Sequence, residues 1–362
     1  MRIAVIGGST AGLATALRLQ QSGHEVSVWE RRAGAPTGGF GLLLTPSVYR
    51  SLEQIGVDLG HRVHAIEQCQ ILESEGTSLL SQPMHSTAGV ERKALVEELM
   101  SALQPGTLQT GTSFVDFERD ERGIATAALF DDGRRQSADL FIGADGVRSR
   151  VRKHHVPGTA LTPVRTVELV GMCQGDRVPE AMRGRFLKAI RPGDGIAIGL
   201  VPASDNSIVW YIQCDPRRWP QVLLPLQQRQ NWLLDELRHW PTLIEETIAG
   251  SDLPRVHLWR TTDRDLPTTF HRGNVLLVGD AAHPLLTFTS QGTGSAIEDA
   301  LAIGDLLDDH DLADAGAMDR TLGAFARFRR PVLQKRLQMG RRMQREFLRP
   351  SRRSLLEVPV CC

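Results

Sequence analysis

The sequence predicts an α/β protein, with a Rossmann-like domain into which a second, β-rich domain is inserted. The first 30 residues have the pattern of a strand, a glycine-rich turn, a helix and a second strand. Two later apolar strands, at 140–142 and 274–278, run into Gly and Asp residues, as strands of a parallel sheet do at a ligand site. Residues 166–215 instead consist mostly of short strands separated by Pro and Gly turns. The signals of a parallel sheet therefore lie at the start, middle and end of the chain, and its domain is expected to be discontinuous.

The first turn has the residues of a phosphate-binding loop. Gly7 permits a tight turn, Gly12 permits close packing of helix on strand, and the helix N-terminus offers free N–H groups to a pyrophosphate. Ser9 stands where a second glycine is usual, but it is small enough to admit the phosphate. Glu30 ends the second strand, where a carboxylate accepts a hydrogen bond from a ribose hydroxyl. Two alternatives are an ordinary glycine turn and a nucleophilic Ser9 on a strand–helix elbow, although that elbow lacks its second flanking glycine.

Hydrophobic periodicity divides the rest of the chain into elements. It predicts helices at 47–55, 91–103, 227–238, 295–307 and 319–347, the last with Pro331 inside it. It predicts extended chain at 69–80, a β-meander at 112–142, and strands at 195–202, 207–214, 256–261 and 274–278. We expect a discontinuous cofactor domain at 1–65, 92–162 and 263–350, and a β-rich substrate domain at 66–91 and 163–262.

Composition excludes several classes of function. Lys and Arg together number 42, as do Asp and Glu, so no net charge directs the chain to nucleic acid. The five cysteines lack the spacing of metal ligands, which predicts no metal site and a reducing, cytoplasmic environment. A strand begins at the first residues and no run of about 18 apolar residues occurs, so we expect no leader peptide and no transmembrane segment.

Two further segments present a carboxylate at the carboxyl end of an apolar strand. They are Phe141–Ser149, which contains Asp145, and Val278–Pro284, which contains Asp280. Helix capping is an alternative role for either aspartate. With the first loop, and in this order, these segments resemble the FAD-dependent aromatic hydroxylase family, the single-component flavoprotein monooxygenases related to p-hydroxybenzoate hydroxylase. The resemblance covers nearly the whole chain and implies the fold of that family.

The resemblance implies FAD as the cofactor and assigns residues to it. Arg92 would reach the phosphate and ribose region, Asp145 and Gly146 would serve both FAD and the nicotinamide cofactor, and Asp280 would bind the ribityl chain. The turn at 291–294 would lie against the pyrimidine edge of the flavin, where a helix dipole favours the anionic reduced form. The candidates are Gly7, Ser9, Thr10, Ala11, Gly12, Glu30, Arg31, Arg92, Asp145, Gly146, Gly279, Asp280, Gln291, Gly292, Thr293 and Gly294.

The resemblance also implies a reaction. NADH or NADPH would bind transiently, because no second dinucleotide loop is visible, and would reduce the FAD. O₂ would then form a flavin C4a-hydroperoxide, whose distal oxygen hydroxylates or epoxidises a small aromatic or polyketide-like substrate. No catalytic side chain is assigned. The alternatives are an FAD-dependent oxidase, reductase or halogenase on the same scaffold, an NAD-only dehydrogenase, and a flavin-binding protein that sequesters a ligand or regulates. The sequence does not choose between a monomer and a dimer.

The β-rich block is expected to supply the substrate pocket, with Trp210, Tyr211 and Phe288 as candidates. Trp210 and Ile212 would point to one face of their strand, and Tyr211 and Gln213 to the other, although core packing is an alternative for either pair. Many relatives have a proline and a glycine where this chain reads Leu286-Thr-Phe-Thr-Ser290, a segment that would border the reactive face of the flavin.

Basic side chains of the β-rich block and of the chain's end have two interpretations. Arg185, Lys188 and Arg191 are interpreted as a solvated face of an edge strand rather than a site for an acidic substrate. The residues from Arg327 to Arg353 are strongly basic, which is also seen in helices that bind membranes or acidic partners. The family resemblance favours packing of their first half on the cofactor domain.

Overall fold

The computed structural model describes residues 1–34, 39–156, 158, 160–309 and 316–349. Its helices are α1 Thr10–Gln21, α2 Pro46–Gln54, α3 Arg92–Ser101, α4 Arg150–His155, α5 Leu226–Leu237, α6 Thr242–Ala249, α7 Gly292–Asp309 and α8 Ala317–Leu348. Its strands are β1 Arg2–Ile6, β2 Glu25–Glu30, β3 Gly41–Leu44, β4 Val63–Ala65, β5 Gln68–Glu73, β6 Ser78–Pro83, β7 Ala88–Glu91, β8 Leu108–Thr110, β9 Phe114–Arg119, β10 Ala125–Phe130, β11 Arg135–Ser137, β12 Leu140–Gly143, β13 Thr166–Gln174, β14 Arg185–Arg191, β15 Ile196–Ser204, β16 Ser207–Cys214, β17 His257–Thr261, β18 His271–Arg272 and β19 Val275–Leu277.

A six-stranded sheet, in the order β18-β19-β12-β1-β2-β8, positions the cofactor motifs. Strands β19, β12, β1, β2 and β8 are parallel, and only β18 is antiparallel. In the ladder, Ile6 pairs with Gly143 and Gly143 pairs with Leu277. The carboxyl ends of β1, β12 and β19 therefore lie side by side, and the segments that follow them meet at one edge of the sheet. Residues from three distant parts of the chain are brought together in this way.

A seven-stranded sheet, in the order β17-β13-β16-β15-β14-β5-β6, forms the second body of structure. One face carries a hydrophobic core of its own, formed by alternate residues of β13, β15 and β16 and by apolar residues of α5 and α6. Trp210 and Ile212 belong to that core. The other face is turned toward the cavity described below. The prediction that β14 is a solvated edge strand is wrong, because β14 lies between β15 and β5.

Smaller sheets and one long helix complete the fold. Strands β3, β7 and β4 form one three-stranded sheet, and β11, β10 and β9 form another. Helix α8 continues through Pro331. It reaches the start of the seven-stranded sheet, where Gln344 Nε2 donates to Thr166 Oγ1 over 2.9 Å, and it packs on α7. None of the helices described combines the length and apolar character needed to cross a bilayer. The predicted α/β class is confirmed, whereas the domain boundaries stay a prediction.

Candidate active site

The phosphate-binding loop admits only glycine at two positions. Gly7 has a φ of +114°, and a Cβ placed on it would lie 2.3 Å from the backbone oxygen of Ala144. A Cβ on Gly12 would lie 1.8 Å from the oxygen of Gly7. Close approach of backbone to backbone therefore builds the loop, as the sequence predicts. Helix α1 begins directly after this loop, and its first residues, which include Thr10 and Ala11, have N–H groups without partners inside the helix.

Glu30 and Ser9 are already engaged by protein groups at this loop. The buried carboxylate of Glu30 accepts from the N–H of Gly8 over 2.8 Å and from the N–H of Arg32 over 2.9 Å. Ser9 Oγ accepts from Arg92 Nη2 over 2.5 Å, which joins the loop to α3. Arg31 is exposed and outside the cavity, whereas Arg32 lines it. The role given to Arg31 stays a prediction, and Arg32 is a further candidate because it lines the cavity.

Asp145 caps a helix with one oxygen, and its role toward the cofactor stays a prediction. Its Oδ2 accepts from the N–H groups of Arg150 over 2.6 Å and Val151 over 3.2 Å, so this oxygen caps α4. Its Oδ1 is buried and has no hydrogen-bond partner among the described residues. Burial raises the pKa of this carboxyl, against the hydrogen bonds that lower it. One oxygen is used structurally and the other is available to a ligand. Gly146 follows with a φ of +82°.

Asp280 projects into the cavity at the end of β19. Its side chain is accessible from the cavity, but protein surrounds it elsewhere, and this desolvation raises the pKa of its carboxyl. The positive charges of His283, Arg92 and Arg152 act in the opposite direction. Arg152 was missed by the sequence interpretation. It donates to the backbone oxygen of Ala281 over 2.7 Å and that of Val147 over 2.6 Å, and thus joins the two aspartate segments.

The turn before α7 forms another wall. Gln291, Gly292 and Thr293 line the cavity, and Gln291 Oε1 is buried with no hydrogen-bond partner among the described residues. Ser290 has a φ of +52°, the left-handed conformation that reverses the chain before the helix. Gly294 is buried instead of lining the cavity, since a Cβ on it would lie 2.8 Å from Val48. The N–H groups at the start of α7 face a ligand-sized space.

A closed network of charges lies behind the Asp280 segment, and the sequence did not predict it. Asp299 is fully buried and accepts from His283 Nε2 over 2.5 Å, Arg329 Nε over 2.7 Å and the N–H of Gly279 over 2.8 Å. Glu298 extends the network by pairing with Arg329 over 2.9 Å. Burial alone would raise the pKa of Asp299, but these partners hold it below its ordinary value.

A cavity of about 760 Å³ lies between the cofactor motifs and the seven-stranded sheet. Tyr211 and Phe288 line it, as predicted, together with Gln213 and Lys188. The prediction for Trp210 is wrong: its ring is fully buried in the second core, where Nε1 donates to Ser251 Oγ over 2.8 Å. The alternation along β16 was inferred correctly, and the face that carries Trp210 is the core face.

Space and unsatisfied polar atoms fit FAD. Asp145 Oδ1 and Gln291 Oε1 are buried acceptors without partners among the described residues, and Gln291 lines the cavity into which Asp280 projects. The backbone around Gly279 is close-packed, since a Cβ there would lie 2.7 Å from that of Ala11. A dinucleotide with hydroxyl donors and a pyrophosphate supplies what these groups lack. Among the described residues, no cluster of His, Cys, Asp and Glu could hold a metal ion.

Comparison with known proteins decides the family. The model of the FAD binding domain family matches residues 1–339. The chain belongs to the FAD-dependent aromatic hydroxylases. Its cofactor is FAD, and both predictions are confirmed.

Individual relatives span most of the chain. A 3-amino-4-hydroxybenzoate 2-monooxygenase, PtmB3 of Streptomyces platensis, is 29% identical over 340 residues, which cover 88% of this chain and 82% of that protein. Salicylate hydroxylase of Pseudomonas putida is 27% identical, over 91% of this chain and 82% of the other. The structure of Klebsiella pneumoniae HpxO with FAD and uric acid has the same fold, with a TM-score of 0.83 and 20% identity over 98% of this hydroxylase and 90% of HpxO.

Proposed function

We propose that this hydroxylase uses NADH or NADPH and O₂ to introduce one oxygen atom into a small aromatic substrate held against the seven-stranded sheet. One observation carries the proposal. A single cavity extends from Asp280 and the 291–293 turn, where FAD fits, to the side chains of β13 and β16. A substrate on the sheet face would thus lie beside the cofactor, with no wall between them. Both PtmB3 and salicylate hydroxylase are named for oxygenation of substituted benzoates, which supports an aromatic substrate.

The residues of the chain would bind and orient the cofactor and the substrate, and they would exclude water. Asp280 would hold the ribityl hydroxyls, Arg92 the phosphate and ribose region, and the N–H groups at the start of α7 the pyrimidine edge. When bound, the flavin supplies the redox chemistry, which is acceptance of hydride from NAD(P)H and activation of O₂. Phe186, Val201 and Leu286 line the cavity with apolar surface, so water would be displaced as the substrate enters.

The cellular environment forms part of the proposal. Cys69, Cys173 and Cys214 are buried cysteines that form no disulfide among the described residues, and Cys69 lines the cavity. Buried thiols are compatible with a reducing compartment. We therefore place the protein in the cytoplasm.

The experiment is a spectrum of the purified protein followed by NAD(P)H oxidation in the presence of phenols, anilines and aromatic acids. We expect a yellow protein that oxidises NAD(P)H faster with a substrate and incorporates one atom of ¹⁸O from labelled O₂ into the product. Faster oxidation with no label in the product would overturn the monooxygenase proposal and favour an oxidase or reductase. A yellow protein that no nicotinamide reduces, with any compound, would favour a ligand-sequestering or regulatory role.

A further inference from the structure

A buried carboxyl group lines the substrate end of the cavity. Glu168, on β13, is 5% exposed and belongs to the cavity lining. Its Oε1 accepts from Gln213 Nε2 over 2.7 Å and also from Thr287 Oγ1. Burial of a carboxyl group without hydrogen bonds has a high free-energy cost. The two donors that converge on one oxygen therefore indicate that the fold holds this carboxyl in a defined position.

The fold fixes both donors. Glu168 and Gln213 are directly opposite each other in the ladder of β13 and β16, and Gln213 is 3% exposed. Thr287 belongs to the segment 286–290, of which Leu286, Thr287, Phe288 and Ser290 line the cavity. Glu168 is thus the contact between the substrate sheet and this segment. Both hydrogen bonds end on Oε1, and no described residue donates to Oε2, so this oxygen can accept from a bound molecule.

The surroundings of Glu168 favour a ligand that donates a hydrogen bond. Val170, Val209 and Leu286 add apolar surface to the same cavity, although its lining also holds the donors Lys188 and Tyr211. Burial raises the pKa of Glu168, while the two donors and the positive charge of Lys188 lower it. An acceptor in an apolar wall gains most from a ligand N–H or O–H, because water no longer competes for it.

The next row of paired residues across the sheet forms a flat surface beside Glu168. Gly199 lies between Tyr211 and Lys188 in the ladder. A Cβ on Gly199 would lie 2.1 Å from Tyr211 Cζ, so the tyrosine ring covers this glycine. A planar ring can therefore lie over Tyr211 while its substituent points to Glu168.

We propose that Glu168 determines substrate specificity by accepting, through Oε2, a hydrogen bond from a hydroxyl or amino substituent of the aromatic ring. The inference rests on the proposed function and adds the residue that recognises the substrate: phenols and anilines should form this contact, whereas their methyl ethers should not. The contact also fixes the orientation of the ring relative to the segment 286–290, and hence which ring atom faces the cofactor.

The test is a set of dissociation constants, measured by calorimetry on the FAD-loaded protein. The probes are phenol, aniline and anisole, each with and without a ring carboxylate. Glu168→Gln keeps an acceptor for Gln213 and Thr287 but replaces Oε2 by a donor. We expect binding of the phenols and anilines to weaken about 10- to 100-fold, as for loss of a charge-assisted hydrogen bond, and binding of the anisoles to be unchanged or tighter. Glu73→Gln is the matched control. Glu73 pairs with Ile190 at the far end of the row of paired residues that contains Glu168, and it does not line the cavity.

A second variant guards against misfolding. Thr287→Val keeps the carboxylate and removes one of the donors that orient it, so a smaller weakening of about 2- to 10-fold is expected, again for phenols and anilines only. An unchanged phenol-to-anisole ratio in both variants would overturn the assignment, as would wild-type protein without a preference for phenols. If the protein binds phenols and anilines more tightly than anisoles but oxygenates none of these probes, the proposed function is refuted while the binding role of Glu168 is supported.

Discussion

The carboxylates of Asp299 and Asp280 adjoin the same turn after β19, but their surroundings are opposite in kind. Asp299 faces inward, where His283, Arg329 and the N–H of Gly279 satisfy it. Asp280 faces the cavity, and the cations Arg92 and Arg152 act on it as charges without burying it. The pKa of Asp299 is accordingly lowered and that of Asp280 raised. We therefore expect the first carboxylate to serve folding and propose that the second serves binding.

The largest effect is expected from Asp299→Ala. The substitution leaves Arg329 buried with part of its counter-charge removed, so the free energy of unfolding should fall by about 3–5 kcal/mol. Urea denaturation of the FAD-free protein measures it. Asp305→Ala on the same helix is the control, because Asp305 is 65% exposed and its pair with Arg18 is expected to contribute little. Equal losses in the two variants would contradict the distinction between the closed network and the surface.

Asp280→Asn should separate binding from stability. We expect FAD affinity to fall about 10- to 100-fold, because a charge-assisted hydrogen bond to the cofactor is lost. The FAD-free protein should not lose stability, since the substitution removes a desolvated charge. Titration of FAD fluorescence and urea denaturation of the same preparations measure the two quantities. Full FAD occupancy in the variant would refute the role given to Asp280.

The two aspartates should also respond to pH with opposite signs. The pKa of Asp299 is lower in the folded than in the unfolded state, so its stabilisation is complete above about pH 4 and is lost as the pH falls toward its folded pKa. The pKa of Asp280 is raised, so the FAD-free protein should gain stability from this group as the pH falls through that pKa toward about 4. Asp280→Asn should therefore weaken the pH dependence of the unfolding free energy above about pH 4. An identical slope in wild type and variant would contradict the raised pKa.

Ser9→Ala should have the smallest effect. It removes the hydrogen bond from Arg92 but keeps the small side chain that the loop requires. A loss of about 2- to 10-fold in FAD affinity is expected, corresponding to a single neutral or singly charged hydrogen bond. Ser22→Ala, at the other end of α1, should leave FAD affinity unchanged. A Ser9 variant as weak in FAD binding as Asp280→Asn would show that the loop, and not the aspartate, governs affinity.

The sequence predicted the parts of the site that are local in the chain. A strand, a glycine turn and a carboxylate are contiguous, so Gly7, Asp145 and Asp280 could be proposed from the sequence, and the parallel order of the strands brings their segments to one edge. The alternation along β16 was also predictable, because side chains of a strand point to opposite faces. Which face is core was not, since that depends on where α5 and α6 pack.

What was missed depends on contacts between distant residues. Asp299 and Arg329 are 30 positions apart, and Glu168 and Thr287 are 119 apart. No short motif predicts such a pair, because each residue by itself fits the pattern of an ordinary helix or strand. Lys188 was interpreted as solvated for the same reason, because the parallel pairing of β14 with β5 joins segments separated by more than 100 residues in the chain.

The order of strands in the six-stranded sheet sets when the cofactor can bind during synthesis. The central strand β1 is made before its neighbour β12, which ends at residue 143, and β19 ends at residue 277. Ribosomes add about 5–20 residues per second, so tens of seconds separate the first wall of the site from the last. A nascent chain thus holds an incomplete nucleotide pocket until β19 and the turn that follows it have been made. FAD can bind only after that point, so flavin limitation should yield apoprotein rather than stalled fragments.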